Sequence, residues 1–412
     1  MSPSSIARTV TVLTSALALT ATTWLAIAPG AGAVGTGGMP AGPAKASVSS
    51  PATHPGSATR PGGSVPGPAV PAVPPAPAPS PASPQAPDTP FQLPPPAAPV
   101  PAPASAAPPA APVSVTPPSG KADDGAYVAT EKWLDPRMAD LSIGSLSVGA
   151  LVPVRIIVPA DWTAEDSGET WPVLYLLHGA HDDYTAWTRE TDIESFVADK
   201  GVIVVMPSAG PTGIPTRWYN GGKNKPDYET FQAVELMQLL ERDFHGSTTR
   251  AVAGVSTGGY GAMMMAAHYP GTFAAAASYS GVVNTTYPGM PSVMRAIVAR
   301  ESIQPDALWG DPVRNAQLWT EDNPYANATN LRLTSLFVSC GDGSGPAQNA
   351  ALGQTLERAV RPQNVAFAAR LNVLGISVQT DFYTGGVHDW VSWKTAFAAS
   401  WPMLAASLGL SN

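Results

Sequence analysis

A serine framed by glycines, Gly254-Val255-Ser256-Thr257-Gly258, stands between a short apolar run and an Ala/Met-rich stretch, and that placement narrows the folds open to this chain. Ahead of it, Thr249-Arg250-Ala251-Val252-Ala253 reads as a buried strand, and behind it Gly258 to His268 reads as a helix. A strand that turns sharply into a helix through small residues holds the serine between them in a strained, exposed position, which suits a nucleophile.

The surrounding pattern repeats the same alternation. Strand-like apolar runs occur at Leu151-Ile157, Val173-Leu177, Val202-Met206, Arg250-Gly254, Ala274-Ser280, Leu336-Cys340 and Ile376-Phe382. Helical patterns lie between several of them, at Ile193-Lys200, Tyr228-Phe244, Gly258-His268, Gln348-Val360 and Trp393-Leu408. Such alternation predicts an α/β protein of the α/β-hydrolase type, a mostly parallel central sheet with helices on both faces. The segment from Val282 to Asn330, rich in Pro, Met, Trp and Asn, breaks the alternation and reads as an insertion over the active-site face.

This pattern starts only after about residue 120. The chain opens with Arg8, an apolar run from about Val10 to Ala28, and Ala31-Gly32-Ala33, which has the form of a secretory cleavage site. Residues 1–33 are therefore expected to be a signal peptide, with an uncleaved membrane anchor as the alternative. Residues 34–120 hold 27 of the 46 prolines and almost no aromatic or periodic apolar pattern, so they are expected to form an extended, disordered spacer, such as a tether crossing a cell envelope. Residues 121–412 have ordinary globular composition and the length of one catalytic domain. Cys340 is the only cysteine, so no intramolecular disulfide holds the fold, and it reads as a small buried residue at a strand end. A net charge of −8 without a basic cluster argues against nucleic acid and anionic membranes as partners. No phosphate-binding loop, dinucleotide-binding glycine pattern or metal-ligand spacing occurs, and no cofactor or metal is expected.

Ester chemistry needs a nucleophile, a base to take its proton, an acid to fix the base, and donors for the tetrahedral oxyanion. A serine hydroxyl is nearly inert at neutral pH, so Ser256 needs a histidine, which in this fold follows the last strand. His388, in Gly385-Gly386-Val387-His388-Asp389-Trp390, stands there. His54 falls in the spacer, while His245 and His268 end helices, where a cation suits the dipole, and all three read as structural. His178 and His181 flank the loop after Val173-Leu177, where the oxyanion donors belong. The backbone amides of Ala180 and Thr257 are the expected donors. Chain order in this fold is serine, acid, histidine, which leaves two candidate acids: Asp342, directly after Leu336-Cys340, and Glu357, within the following helix. Each also has a bland reading, Asp342 as a turn former and Glu357 as a solvated helix residue.

The assembled residues resemble the antigen 85 mycolyltransferases, within the wider esterase D-like group of α/β-hydrolases. The similarity runs over most of Asp135 to Leu408. It rests on Leu176-Leu177-His178-Gly179, Asp182-Asp183-Tyr184 with Trp187, Trp218-Tyr219, Glu229-Thr230-Phe231, the Ser256 turn, Cys340-Gly341-Asp342-Gly343, and His388-Asp389-Trp390 with Trp393. In that family the acid is a glutamate in a Phe-Leu-Glu context on the helix after the Cys-Gly turn. Thr355-Leu356-Glu357 matches it, so the resemblance favours Glu357 over Asp342. It implies an acyl-enzyme on Ser256, formed from an acyl ester or glycolipid donor, with the acyl group passed to a sugar hydroxyl. The insertion after Val282 would cover the acyl chain. Trp218, Trp390 and Trp393 would stack on sugar rings, or else pack in the core. One departure stands out: the mycolyltransferases carry Asp-Gly-Leu-Arg where this chain has His178-Gly179-Ala180-His181, and the missing Asp and Arg belong to the trehalose pocket.

Three functions follow. One is an exported acyltransferase of the cell envelope; the second is an exported carboxylesterase with water as acceptor, suggested by the His-Gly loop. The third is a non-catalytic envelope-binding protein on the same scaffold, against which the retained Ser256, His388 and acid speak.

Overall fold

The computed structural model describes residues 120–165, 168–346 and 350–411. The expected signal peptide, and the expected spacer but for its last residue, lie outside them. A nine-stranded sheet runs through the domain in the order β1-β2-β3-β5-β4-β6-β7-β8-β9. The strands are β1 (Tyr127–Trp133), β2 (Met138–Ser145), β3 (Ala150–Ile157), β4 (Trp171–Leu177), β5 (Ile203–Pro207), β6 (Gly246–Val255), β7 (Ala275–Tyr279), β8 (Ser335–Cys340) and β9 (Gln379–Phe382). From β5 to β9 neighbours pair in parallel, and β1, β2, β3 and β5 pair antiparallel. The strand order reverses around β4, and in such sheets ligands bind beyond the strand carboxyl ends at that reversal.

The helices are α1 (Ala186–Glu190), α2 (Ile193–Phe196), α3 (Tyr228–Thr230), α4 (Leu236–Asp243), α5 (Thr257–His268), α6 (Met290–Arg300), α7 (Ala316–Glu321), α8 (Ala350–Val373) and α9 (Trp390–Leu408). Strand side chains alternate between two cores. Tyr175, Val252, Ala276 and Val338 pack with α4, α5 and Phe367 and Leu371 of α8. Leu174, Ala253, Ala277 and Phe337 pack on the other face with Trp187 of α1 and Phe397, Trp401 and Leu404 of α9. Every residue of α5 from Thr257 to Ala267 is buried, so this helix is apolar all round and needs no polar face.

The seven expected strands are all present, with shifted ends, but β1 and β2 were not expected. β1 (YVATEKW) buries only Val128, and β2 (MADLSIGS) alternates buried Ala139, Leu141 and Ile143 with Asp140 and Ser142, so neither forms the apolar run of a strand buried on both faces. The helix expected at Ile193-Lys200 is only four residues long. That expected at Tyr228-Phe244 passes through a π-turn at Phe231–Glu235. The helix expected to stop at Val360 runs to Val373 through Pro362, because its apolar stripe continues through Phe367 and Leu371, both fully buried. The segment after Val282 is an insertion built largely of helix. Its Met290, Met294, Trp309 and Trp319 form a third core with Trp218, Tyr260 and Met264.

Candidate active site

Ser256 occupies the turn from β6 to α5 with φ 55° and ψ −118°, a conformation that costs a residue with a side chain on the order of 1–3 kcal/mol. The flanking glycines make this turn possible. A Cβ at Gly254 would lie 2.3 Å from the backbone carbonyl of Gly258, and one at Gly258 would lie 2.5 Å from the carbonyl oxygens of Leu177 and His178. The turn is thus wedged between its own helix and the end of β4.

The Ser256 hydroxyl donates to Nε2 of His388 at 2.9 Å, and Nδ1–H of His388 donates to Oε2 of Glu357, also at 2.9 Å. His388 precedes α9 on the loop after β9, and its backbone amide donates to the Gly353 carbonyl of α8 at 3.1 Å. Glu357 is fully buried. Its second oxygen, Oε1, accepts from Ser280 Oγ at 2.8 Å, the Gly341 amide at 2.6 Å and the Cys340 thiol at 3.3 Å. Burial pushes the Glu357 carboxyl up, but the bond and charge of His388, with the Ser280 and Cys340 donors, outweigh it and leave the group below its ordinary value. A buried carboxylate with this many donors is an anion ready to stabilise an imidazolium.

Asp342, the other candidate acid, stands apart from His388. Its Oδ1 accepts from the Ser344 hydroxyl at 2.6 Å, the Ser344 amide at 2.9 Å and the Gly385 amide at 3.0 Å. Those Ser344 bonds lead in drawing its carboxyl down to about 2. It is an Asx-type turn residue that ties the loop after β8 to the loop carrying His388.

The loop after β4 approaches the serine closely: a Cβ at Gly179 would lie 3.3 Å from Cβ of Ser256. His178 is buried, and burial holds its pKa below the usual value. Its Nε2 accepts from the Ala209 amide at 3.1 Å, which leaves the proton on Nδ1 to donate to the Gly179 carbonyl at 2.8 Å. In a trans peptide the N–H opposes the C=O, so this bond also directs the Ala180 N–H away from the ring. Thr257, the other expected donor, opens α5 directly after Ser256, where helix N–H groups face outward.

A cleft of about 1030 Å³ opens over Ser256 and His388. Its lining is mixed, with apolar Val282, Val293, Ile297, Leu352, Leu356 and Val360 and charged Asp182, Glu190, Arg300 and Lys394. Trp390 and Trp393 line it; Trp393 meets the His388 ring edge-on at 5.0 Å, and its indole N–H donates to Ser280 Oγ at 3.2 Å. Trp218 is not brought to this cleft. It is only 4% exposed, packs in the core of the insertion and borders a separate cleft with His268 and Asp322. Among the described residues, no cluster of His, Cys, Asp or Glu is disposed to hold a metal ion.

Sequence reasoning missed Ser280 and the Gly341 amide, and it gave the His178 imidazole, placed beside the oxyanion loop, no part in holding that loop. Ser280 follows β7 with φ 49° and belongs to no recognisable motif, so only the fold reveals that it meets Glu357.

Comparison with known proteins places this geometry in context. The family model described as "Putative esterase" matches residues 145–404. The diacylglycerol acyltransferase/mycolyltransferase Ag85B of Mycobacterium intracellulare is 30% identical over 262 residues, 60% of this chain and 79% of that protein. An esterase of Mycobacterium tuberculosis is 31% identical over 265 residues, 61% of this chain but 56% of that longer protein. Among solved structures, MPT51 (FbpC1) of M. tuberculosis superposes with a TM-score of 0.57 at 22% identity, covering 66% of this chain and all of that one. This likeness supports the fold: an α/β-hydrolase sheet with the serine turn at its centre.

Proposed function

Since the chain belongs to the esterase family that its residues 145–404 match, together with the antigen 85 mycolyltransferases, and is a serine hydrolase or acyltransferase, we propose that it moves an acyl group from an ester donor to a sugar hydroxyl through an acyl-enzyme on Ser256. The observation that carries this reading is the unbroken hydrogen-bonded series from Ser256 through His388 to Glu357. His388 Nε2 takes the Ser256 proton as Oγ attacks the ester carbonyl. The negative oxygen is received by the amides of Ala180 and Thr257, each donor of this kind contributing about 3 kcal/mol. His388, held as an imidazolium by anionic Glu357, then protonates the departing alcohol. The acceptor hydroxyl then gives its proton to His388 as its oxygen attacks the acyl carbonyl, and His388 returns that proton to Ser256 Oγ as the acyl–serine bond breaks, forming the new ester and restoring the enzyme.

The mixed apolar and charged lining of the cleft supports a substrate with an apolar acyl part and a hydroxyl-rich part. An acyl chain lies along Val282, Val293, Ile297 and Leu356, and the sugar meets Trp390, Trp393 and the polar rim. The His178-Gly179 loop favours a second reading, a carboxylesterase using water, since the Asp and Arg of the trehalose pocket are replaced. Residues 1–33 and the spacer support an exported enzyme working at the cell envelope.

The deciding experiment supplies one acyl ester with trehalose or other sugars and resolves products by mass spectrometry. Acylated sugar as the main product supports the transferase; free acid alone assigns the esterase.

A further inference from the structure

The peptide between Gly179 and Ala180 is flanked in the chain by two histidines, His178 and His181, each with its ring held by a hydrogen bond. On one side His178 fixes the Gly179 carbonyl, as described above. On the other, His181 takes a left-handed backbone, φ 61°, which a residue with a side chain keeps only where its surroundings hold it. What holds it comes from far away in sequence: Nδ1 of His181 bonds Oε1 of Glu301, 120 residues on, at the carboxyl end of α6. Burial keeps His181 below its ordinary pKa, so the ring is neutral and donates from Nδ1 to the carboxylate. The same helix lines the Ser256 cleft with Val293, Ile297 and Arg300.

We propose that Glu301 is a positioning residue for the oxyanion donor: by holding the His181 ring it keeps the Ala180 amide directed at Ser256, and so couples the cleft-lining helix α6 to the chemistry. This rests on the reading of Ser256 as the acyl-accepting nucleophile. An ordinary surface hydrogen bond contributes about 0.5–1.5 kcal/mol and would affect folding alone. This pair is only 17% and 27% exposed, and the residue it restrains is the immediate neighbour of the proposed donor.

The test uses the whole protein and p-nitrophenyl acetate, too short to reach the apolar wall of α6, with phenylboronic acid, which adds to a serine oxygen as a tetrahedral mimic. Melting temperature is measured alongside. Glu301→Ala is expected to lower kcat about tenfold to hundredfold, short of the loss for removing a donor outright, with KM changed less than about threefold and boronate affinity falling in parallel with kcat. Glu301→Gln keeps an acceptor for Nδ1–H, and His181→Asn keeps a side-chain N–H donor in a residue that tolerates positive φ. Both are expected to retain most of the activity. Wild-type kcat and boronate affinity in Glu301→Ala overturn the proposal. So does an equal loss in Glu301→Ala and Glu301→Gln that tracks melting temperature. Should the unmodified protein itself neither turn over the ester nor lose boronate binding on Ser256→Ala, the acyl-enzyme reading fails, and the role of Glu301 falls with it.

Discussion

Ser280 Oγ donates to Glu357 Oε1 at 2.8 Å, on the carboxylate oxygen opposite the one that holds His388. The same hydroxyl accepts from the Trp393 indole, whose ring stands edge-on to His388. Base and acid are therefore braced from one side by a residue that never meets substrate. Ser280→Ala removes a hydrogen bond to a charged group, which contributes about 1.5–3 kcal/mol, so kcat is expected to fall on the order of tenfold to hundredfold. The sign of the pH effect follows as well. Ser280 is one of the donors holding Glu357 low, so its loss raises that pKa, and the acid limb of the rate profile should move to higher pH. An unchanged acid limb would show that Ser280 is not a support for Glu357.

Asp342 and Glu357 make opposite predictions. Glu357→Gln should cost about 10⁴ in kcat, the loss seen when the acid of a serine triad is made neutral. Asp342→Asn leaves the His388 bond intact and should cost far less activity, its effect appearing as lower thermal stability through the Ser344 and Gly385 contacts. Steady-state kinetics on the two variants decide it, and the reverse ranking would transfer the role to Asp342.

Sequence periodicity was sufficient for the parallel half of the sheet, because β4, β6 and β7 are buried on both faces and read as apolar runs. It was insufficient for the edge strand β1, where Thr130, Glu131 and Lys132 stand in succession, and for its neighbour β2, where Asp140 and Ser142 alternate with Ala139, Leu141 and Ile143. The same division holds at the site. Ser256 and His388 were legible because a nucleophile turn and a histidine after the last strand leave local patterns. Glu357 was not separable from Asp342 by position, since both follow β8; the family resemblance favoured Glu357, and the bond from His388 Nδ1 reaches it and not Asp342. Trp218 misled because a tryptophan beside a tyrosine looks the same in sequence whether it faces a sugar or packs, as here, against Tyr260 and Met264.

Gly258 should be intolerant of any side chain. Gly258→Ala places a methyl carbon 2.5 Å from two backbone oxygens of the β4 end, and overpacking of this kind costs about 1–3 kcal/mol. Thermal melting should register that loss, and ester turnover should fall with it because the Ser256 turn must shift. A variant with unaltered stability and activity would mean that the wedge is looser than described.

His268 at the end of α5 bonds Glu229 at 2.7 Å. Although burial disfavours its charge, the Glu229 bond and charge raise its pKa to about 9. Burial raises that of neighbouring Asp322 to about 7. Both groups hold protons more tightly folded than unfolded. The stability each contributes is complete below its unfolded pKa and is lost as pH rises through its folded value. The melting temperature should therefore decline between about pH 4 and 9, through Asp322 up to about pH 7 and through His268 from about pH 6.5 to 9. His268→Gln should flatten the upper part of that decline; an identical slope in the variant would remove His268 from the account.

The proposed reaction passes through a covalent acyl group on Ser256. Intact-mass analysis of the protein quenched during turnover of a p-nitrophenyl ester, followed by peptide mapping, tests it most directly. A mass increase equal to one acyl group is expected, confined to the peptide containing Ser256 and absent from Ser256→Ala. An adduct of equal yield in Ser256→Ala, or ester turnover that survives that substitution, would contradict it.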